Sequence, residues 1–73
     1  MIENLHTTPM GEERIRRNAG LPEDADVMAW CRERIDAPDA VTERRGKNLY
    51  ATSGGYTLTI NARSHTVITV HKQ

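Results

Sequence analysis

Leu49-Tyr50-Ala51-Thr52-Ser53-Gly54-Gly55-Tyr56-Thr57-Leu58-Thr59-Ile60-Asn61 decides the fold. Apolar and polar residues alternate with a period of two on both sides of Gly54-Gly55. That is the pattern of half-buried antiparallel strands. Two adjacent glycines suit a two-residue hairpin turn, because both central positions can take positive φ. The turn then pairs Ala51 with Leu58, Leu49 with Ile60, Tyr50 with Thr59 and Thr52 with Thr57.

Working outward, Val67-Ile68-Thr69-Val70-His71 alternates again. A three-residue loop, Arg63-Ser64-His65, keeps Ile60 beside Ile68 and pairs Leu58 with Val70, Thr59 with Thr69 and Thr57 with His71. A one-residue slip would exchange the faces. A short strand from Val41 to about Arg44, turning at Gly46, completes the sheet. One face then carries Leu49, Ala51, Leu58, Ile60, Ile68 and Val70. The other carries Tyr50, Thr52, Thr57, Thr59, Asn61, Thr69 and His71.

Before residue 41 the period is helical. Thr8-Pro9 is a cap followed by Pro at the first helical position, and Gly20 with Pro22 ends the segment. Asp24 or Asp26 caps a second helix that Pro38 closes. On it, Val27, Trp30, Cys31, Arg34 and Ile35 share a face. Trp30 is the only Trp and there is no Phe. The expectation is that Trp30 anchors the core, so that truncation to Ala costs about 3–5 kcal/mol. Cys31 reads as an inert core thiol. The predicted fold is α+β: two N-terminal helices on one face of a three- to four-stranded antiparallel sheet, in a single domain spanning residues 1–73.

At 73 residues and 37% apolar, the chain is too short for a two-domain enzyme with a deep cleft. No apolar run approaches the roughly 18 residues of a membrane span, and Ile2-Glu3-Asn4 breaks any leader-like segment. The expected setting is cytoplasmic. One cysteine excludes an internal disulfide framework, and among His6, Cys31, His65 and His71 only the last two are closely spaced, which the register puts in the loop and at the far end of a strand. No metal, cofactor or nucleotide fingerprint is expected.

Net charge is zero, but all ten carboxylates lie at or before Glu43. Residues 1–43 carry −5 and residues 44–73 carry +5. Such asymmetry points to a polyanion on the basic half, a protein partner on the acidic half, or mutual attraction of the two. The strands after Glu43 offer no acid, so their wet face is expected to be free of carboxylate. Hydroxyls, an amide, an imidazole and cations are the groups that hold a phosphodiester. Arg44, Arg45, Lys47, Asn61, Arg63 and Lys72 are the candidate phosphate contacts. His65 and Asn61 also suit a turn, and the threonines also suit any wet strand face.

Arg45-Gly46-Lys47-Asn48-Leu49-Tyr50 and Thr59-Ile60-Asn61-Ala62-Arg63-Ser64-His65-Thr66-Val67-Ile68-Thr69-Val70-His71-Lys72, with Leu5-His6-Thr7-Thr8, Gly11, Arg14-Ile15, Asn18 and Trp30-Cys31, resemble a small bacterial domain family of unknown function. More distantly, the element order and the last strand resemble the barnase, colicin-type tRNase and RelE group of metal-independent RNases. That resemblance implies RNA, such as tRNA, cleaved by attack of a ribose 2′-hydroxyl. His71 would be the base or acid, Tyr50 its partner or a stacking surface, and Thr69 a neighbouring hydroxyl. No glutamate is expected at a strand position on the wet face of the kind barnase uses.

Three functions compete at this level. One is an RNA-binding or RNA-cleaving, toxin-like domain. Another is a protein-interaction module, such as a phage- or plasmid-encoded inhibitor or an antitoxin-like partner. The last is a purely structural domain. Exposed sheet edges make a homodimer a further expectation.

Overall fold

The computed structural model describes residues 2–73. Its elements run α1 (Pro9–Ala19), α2 (Val27–Asp36), β1 (Val41–Arg45), β2 (Asn48–Ser53), β3 (Tyr56–Asn61) and β4 (Val67–Lys72). The four strands form an antiparallel meander in the order β1-β2-β3-β4. α1 packs against β4 and α2 against β2. This is the α+β arrangement the sequence predicts, with four strands.

The caps explain where the helices start. The Thr8 hydroxyl accepts the Gly11 N–H at 3.0 Å, and Gly20 closes α1 at φ 68°. Asp26 accepts the Ala29 N–H at 3.0 Å to open α2. Gly54 and Gly55 both take positive φ, 58° and 83°. The β2–β3 register is the one that turn requires: Ala51 faces Leu58, Leu49 faces Ile60, Tyr50 faces Thr59 and Thr52 faces Thr57. Asp39 fastens the same turn, accepting from the Ser53 hydroxyl at 2.8 Å and the Gly54 N–H at 3.3 Å.

The β3–β4 register is as expected from Thr57 to Thr59 and differs beyond it. Ile60 pairs with Val67, and a bulge leaves Ile68 as the extra residue. Val67 is therefore in the core and Ile68 only half-buried. The cause is the turn. Asn61 Oδ1 accepts the N–H groups of both Arg63 and Ser64 at 2.9 Å, and His65 is left-handed at φ 61°. That conformation takes residues 62–66 rather than three, and the bulge absorbs the difference.

The core joins Ile15, Val27 and Cys31 of the helices to Ala51, Leu58, Ile60, Val67 and Val70 of the sheet. Burial pushes the Cys31 thiol up to about 12. Trp30 is not the buried anchor the composition suggests. It is half-buried at the rim, edge-to-face with Tyr56 at a centroid distance of 5.1 Å, with the Arg34 guanidinium 6.0 Å from its ring. Val27 and Cys31, one turn apart, take the centre of the α2 stripe. Trp30 flanks it, where a large ring keeps one edge in water.

Candidate nucleic-acid interface

The face turned away from the helices follows from the register. It carries Val41, Glu43 and Arg45 from β1, and Asn48, Tyr50 and Thr52 from β2. Thr57, Thr59 and Asn61 come from β3, and Thr69 and His71 from β4. Tyr50, Thr59 and Thr69 share it, as expected.

One expectation about this face fails. Glu43 lies directly opposite Tyr50, so the face does hold a carboxylate at a strand position. The first strand runs one residue further than the sequence suggests, to Arg45, and closes on the two-residue turn Gly46-Lys47. Period-two alternation then places Val41, Glu43 and Arg45 together. Arg45 Nε donates to Glu43 Oε1 at 2.9 Å, and its guanidinium sits 5.0 Å from the centre of the Tyr50 ring.

The cations divide into two sets. Arg16, Arg32, Arg34 and Arg45 have carboxylates within 4.0 Å, on Glu12, Asp36, Glu33 and Glu43. Arg14, Arg17, Arg44, Lys47, Arg63 and Lys72 have none among the described residues. Of these, Arg44, Lys47 and Arg63, with Asn61 and Ala62, line a cleft of about 300 Å³ where the β1–β2 and β3–β4 turns meet. The Ala62 N–H donates to the Lys47 carbonyl at 2.8 Å, which ties the turns together. Arg44 Nε donates to the Gly46 carbonyl at 3.0 Å. Asn61 caps its own turn, as its sequence position suggests.

The structure thus gathers Arg44, Lys47, Asn61 and Arg63, with Arg45 and Tyr50 on the adjoining sheet face. It keeps His71 and Lys72 apart from them. His71 pairs with Thr57 and Lys72 with Tyr56, beside the Gly54-Gly55 turn. Thr57 is four residues from Asn61, or about 14 Å along the strand. Thr69 lies two strands from Tyr50, with Thr59 between, and its hydroxyl accepts from Asn18 Nδ2 at 3.3 Å.

A second depression, about 380 Å³, lies on the outer side of α1 among Pro9, Met10, Glu13, Arg14 and Arg17. Glu13 among its cations keeps it from presenting one sign of charge. Among the described residues no group of three or more His, Cys, Asp or Glu side chains converges as a metal site would require. No helix is long and apolar enough to cross a membrane.

One further set is joined only by the fold. Thr66 of the β3–β4 turn meets the His6 imidazole from the other end of the chain, and Ser64 meets Thr66. A 60-residue separation leaves no local periodicity or spacing to reveal the contact.

Fold and cleft together define a small α+β domain whose sheet is helix-covered on one face and basic at one end. The chain belongs to the DUF3781 family: a family model described as a protein of unknown function (DUF3781) matches residues 1–71. No curated protein and no solved structure matches it. The likeness to the RNase group therefore stands on element order and the last strand alone.

Proposed function

We propose that this domain binds single-stranded RNA, with phosphates in the Arg44–Lys47–Arg63 cleft and bases over the adjoining sheet face. One observation carries the reading: of the four cations of the basic half that lack carboxylate partners among the described residues, three line one cleft, between two turns held by backbone hydrogen bonds. Unpaired cations in a preformed cleft keep their full attraction for a phosphate. Tyr50 lies next to it, with Arg45 against its ring, and aromatic faces of this kind stack unpaired bases. A strand laid from the cleft along β3 passes Tyr50 and ends at His71 and Lys72, so the candidate base stands at the far end of the same path.

The protein-interaction alternative draws less from the geometry. Glu12, Glu33 and Asp36 of the acidic half already face arginines of their own helices, which reduces the negative field open to a basic partner.

Fluorescence anisotropy of labelled oligoribonucleotides tests the proposal. Three phosphate contacts predict a log–log salt slope of about −2. Reversing Arg44, Lys47 and Arg63 to Glu should abolish binding, while reversing Arg14 and Arg17 should leave most of it. Binding that ignores salt, or survives the cleft reversal, would overturn the reading in favour of a protein partner.

A further inference from the structure

Ser64 Oγ lies 2.7 Å from Thr66 Oγ1, which lies 2.9 Å from His6 Nε2. The other ring nitrogen, His6 Nδ1, lies 2.6 Å from the Asn4 carbonyl oxygen. A carbonyl can only accept, so Nδ1 carries the proton. In the neutral ring Nε2 is then an acceptor, and the Thr66 hydroxyl must donate to it. With its proton so committed, Thr66 Oγ1 accepts from Ser64. The chain of hydrogen bonds has one direction: from Ser64 through Thr66 to His6.

Each member is also held in place by other groups. The Ser64 N–H donates to Asn61 Oδ1 at 2.9 Å, and Ser64 Oγ accepts the Thr66 N–H at 3.3 Å. The His6 N–H donates to the His65 carbonyl at 3.3 Å, and the His6 carbonyl accepts the Val67 N–H at 2.7 Å. His65 Nδ1 holds the same N-terminal stretch through the Glu3 carbonyl at 2.6 Å. Ser64 is exposed at the tip of the turn and directly follows Arg63 of the cationic cleft. A hydroxyl, a proton acceptor and a group that orients the acceptor are the parts of an activated nucleophile. Here a second hydroxyl is inserted between the first two.

We infer that Ser64 is a nucleophile towards phosphoesters, with Thr66 as the proton conduit and His6 as the base. In the step, Ser64 Oγ bonds to phosphorus and the bond from phosphorus to the leaving group breaks. The Ser64 proton passes to Thr66 Oγ1 as the Thr66 proton passes to His6 Nε2. The leaving group departs with the electron pair, and the imidazolium keeps its Nδ1–H on Asn4. The cations of the neighbouring cleft draw the anionic ester to the turn. This activity does not depend on RNA binding.

The probe is a fluorophosphonate, from which fluoride leaves and the serine adduct persists. Intact-mass spectrometry should show one adduct, and peptide mapping should place it on Ser64. Ser64→Ala should abolish it. Thr66→Val preserves side-chain shape and breaks the conduit, and should slow labelling by roughly 10²–10⁴-fold. His6→Gln should slow it similarly. Unchanged amide spectra show that the variants stay folded. Absence of an adduct on folded wild-type protein, an adduct elsewhere, or labelling of Thr66→Val at the wild-type rate would each overturn the inference.

Discussion

Along β4 the outer backbone groups are taken up by the chain itself. The His6 carbonyl accepts from Val67 N–H, the Thr7 hydroxyl donates to the Val67 carbonyl at 2.8 Å, and Asn18 Nδ2 donates to the Val70 carbonyl at 3.1 Å. Along β1 all five residues are exposed, and among the described residues the strand pairs only with β2. Both edges must avoid stray pairing. One does so by burial under α1 and the N-terminal strap. The other relies on Glu43, Arg44 and Arg45, whose charges make apolar strand addition unfavourable. Stability is therefore concentrated at β4, while the exposed chemistry of β1 is free to serve binding.

That contrast is tested most severely at Ile15, the fully buried side chain that α1 brings to the β4 side. Ile15→Ala should cost about 2–5 kcal/mol in urea unfolding. Val41→Ala, at a position 67% exposed on the open edge, should stay within about 0.5 kcal/mol. Similar costs at the two sites would end the comparison.

Gly11 is the next test. A Cβ there would collide with Thr7 Oγ1 and press on Thr8 Oγ1, displacing the hydroxyl that covers the Val67 carbonyl. Gly11→Ala should lose about 1–3 kcal/mol, despite the higher helix propensity of Ala. Hydrogen exchange at the Val67 amide should accelerate with it. A stabilised variant would show that the strap yields freely.

Asn18→Ala removes only the polar cover of Val70 and Thr69. Its expected cost is about 0.5–1.5 kcal/mol, read as a lower urea midpoint at unchanged slope.

The smallest effect is expected where β1 is moored. The Ser53 hydroxyl, then the Gly54 N–H, hold the Asp39 carboxyl below its ordinary value, with Arg34 adding to the shift. A carboxyl lowered in the fold contributes stability above its unfolded value of about 3.9. That contribution is lost as pH falls through the folded value. Urea midpoints should thus decline with acid less steeply in Asp39→Asn than in the wild type. Identical pH profiles would show that the mooring does not matter.

The central hairpin was legible because Gly54-Gly55 suits a two-residue turn and alternation admits one register around it. The helix ends were legible from Thr8-Pro9, Gly20 and Asp26. The bulge at Ile68 was not, since its cause is the hydrogen-bonding of Asn61 to Arg63 and Ser64, which composition does not display. The face of Glu43 was not legible, because one residue of strand length decides whether Val41–Arg45 reaches the Gly46-Lys47 turn and so which residues of β1 fall opposite Tyr50. Of the candidate contacts, Arg44, Lys47, Asn61 and Arg63 meet at one cleft because two turns at the same end of a meander are neighbours. His71 falls at the opposite end for the same reason, since adjacent antiparallel strands put their far termini apart.

The stitching of His6 and Thr7 to Thr66 and Val67 joins positions 60 residues apart. Each β-turn, by contrast, closes within a few residues. Loop-closure entropy grows with the logarithm of loop length, so the three hairpins can form while the two chain ends are still apart. Docking of α1 and the strap on β4 is the long-range event, and it sets the contact order of the domain. The sheet is therefore expected to form early in folding and the N-terminal strap to dock late. A nascent chain that has emerged only as far as β3 has both helices but lacks the edge on which α1 rests.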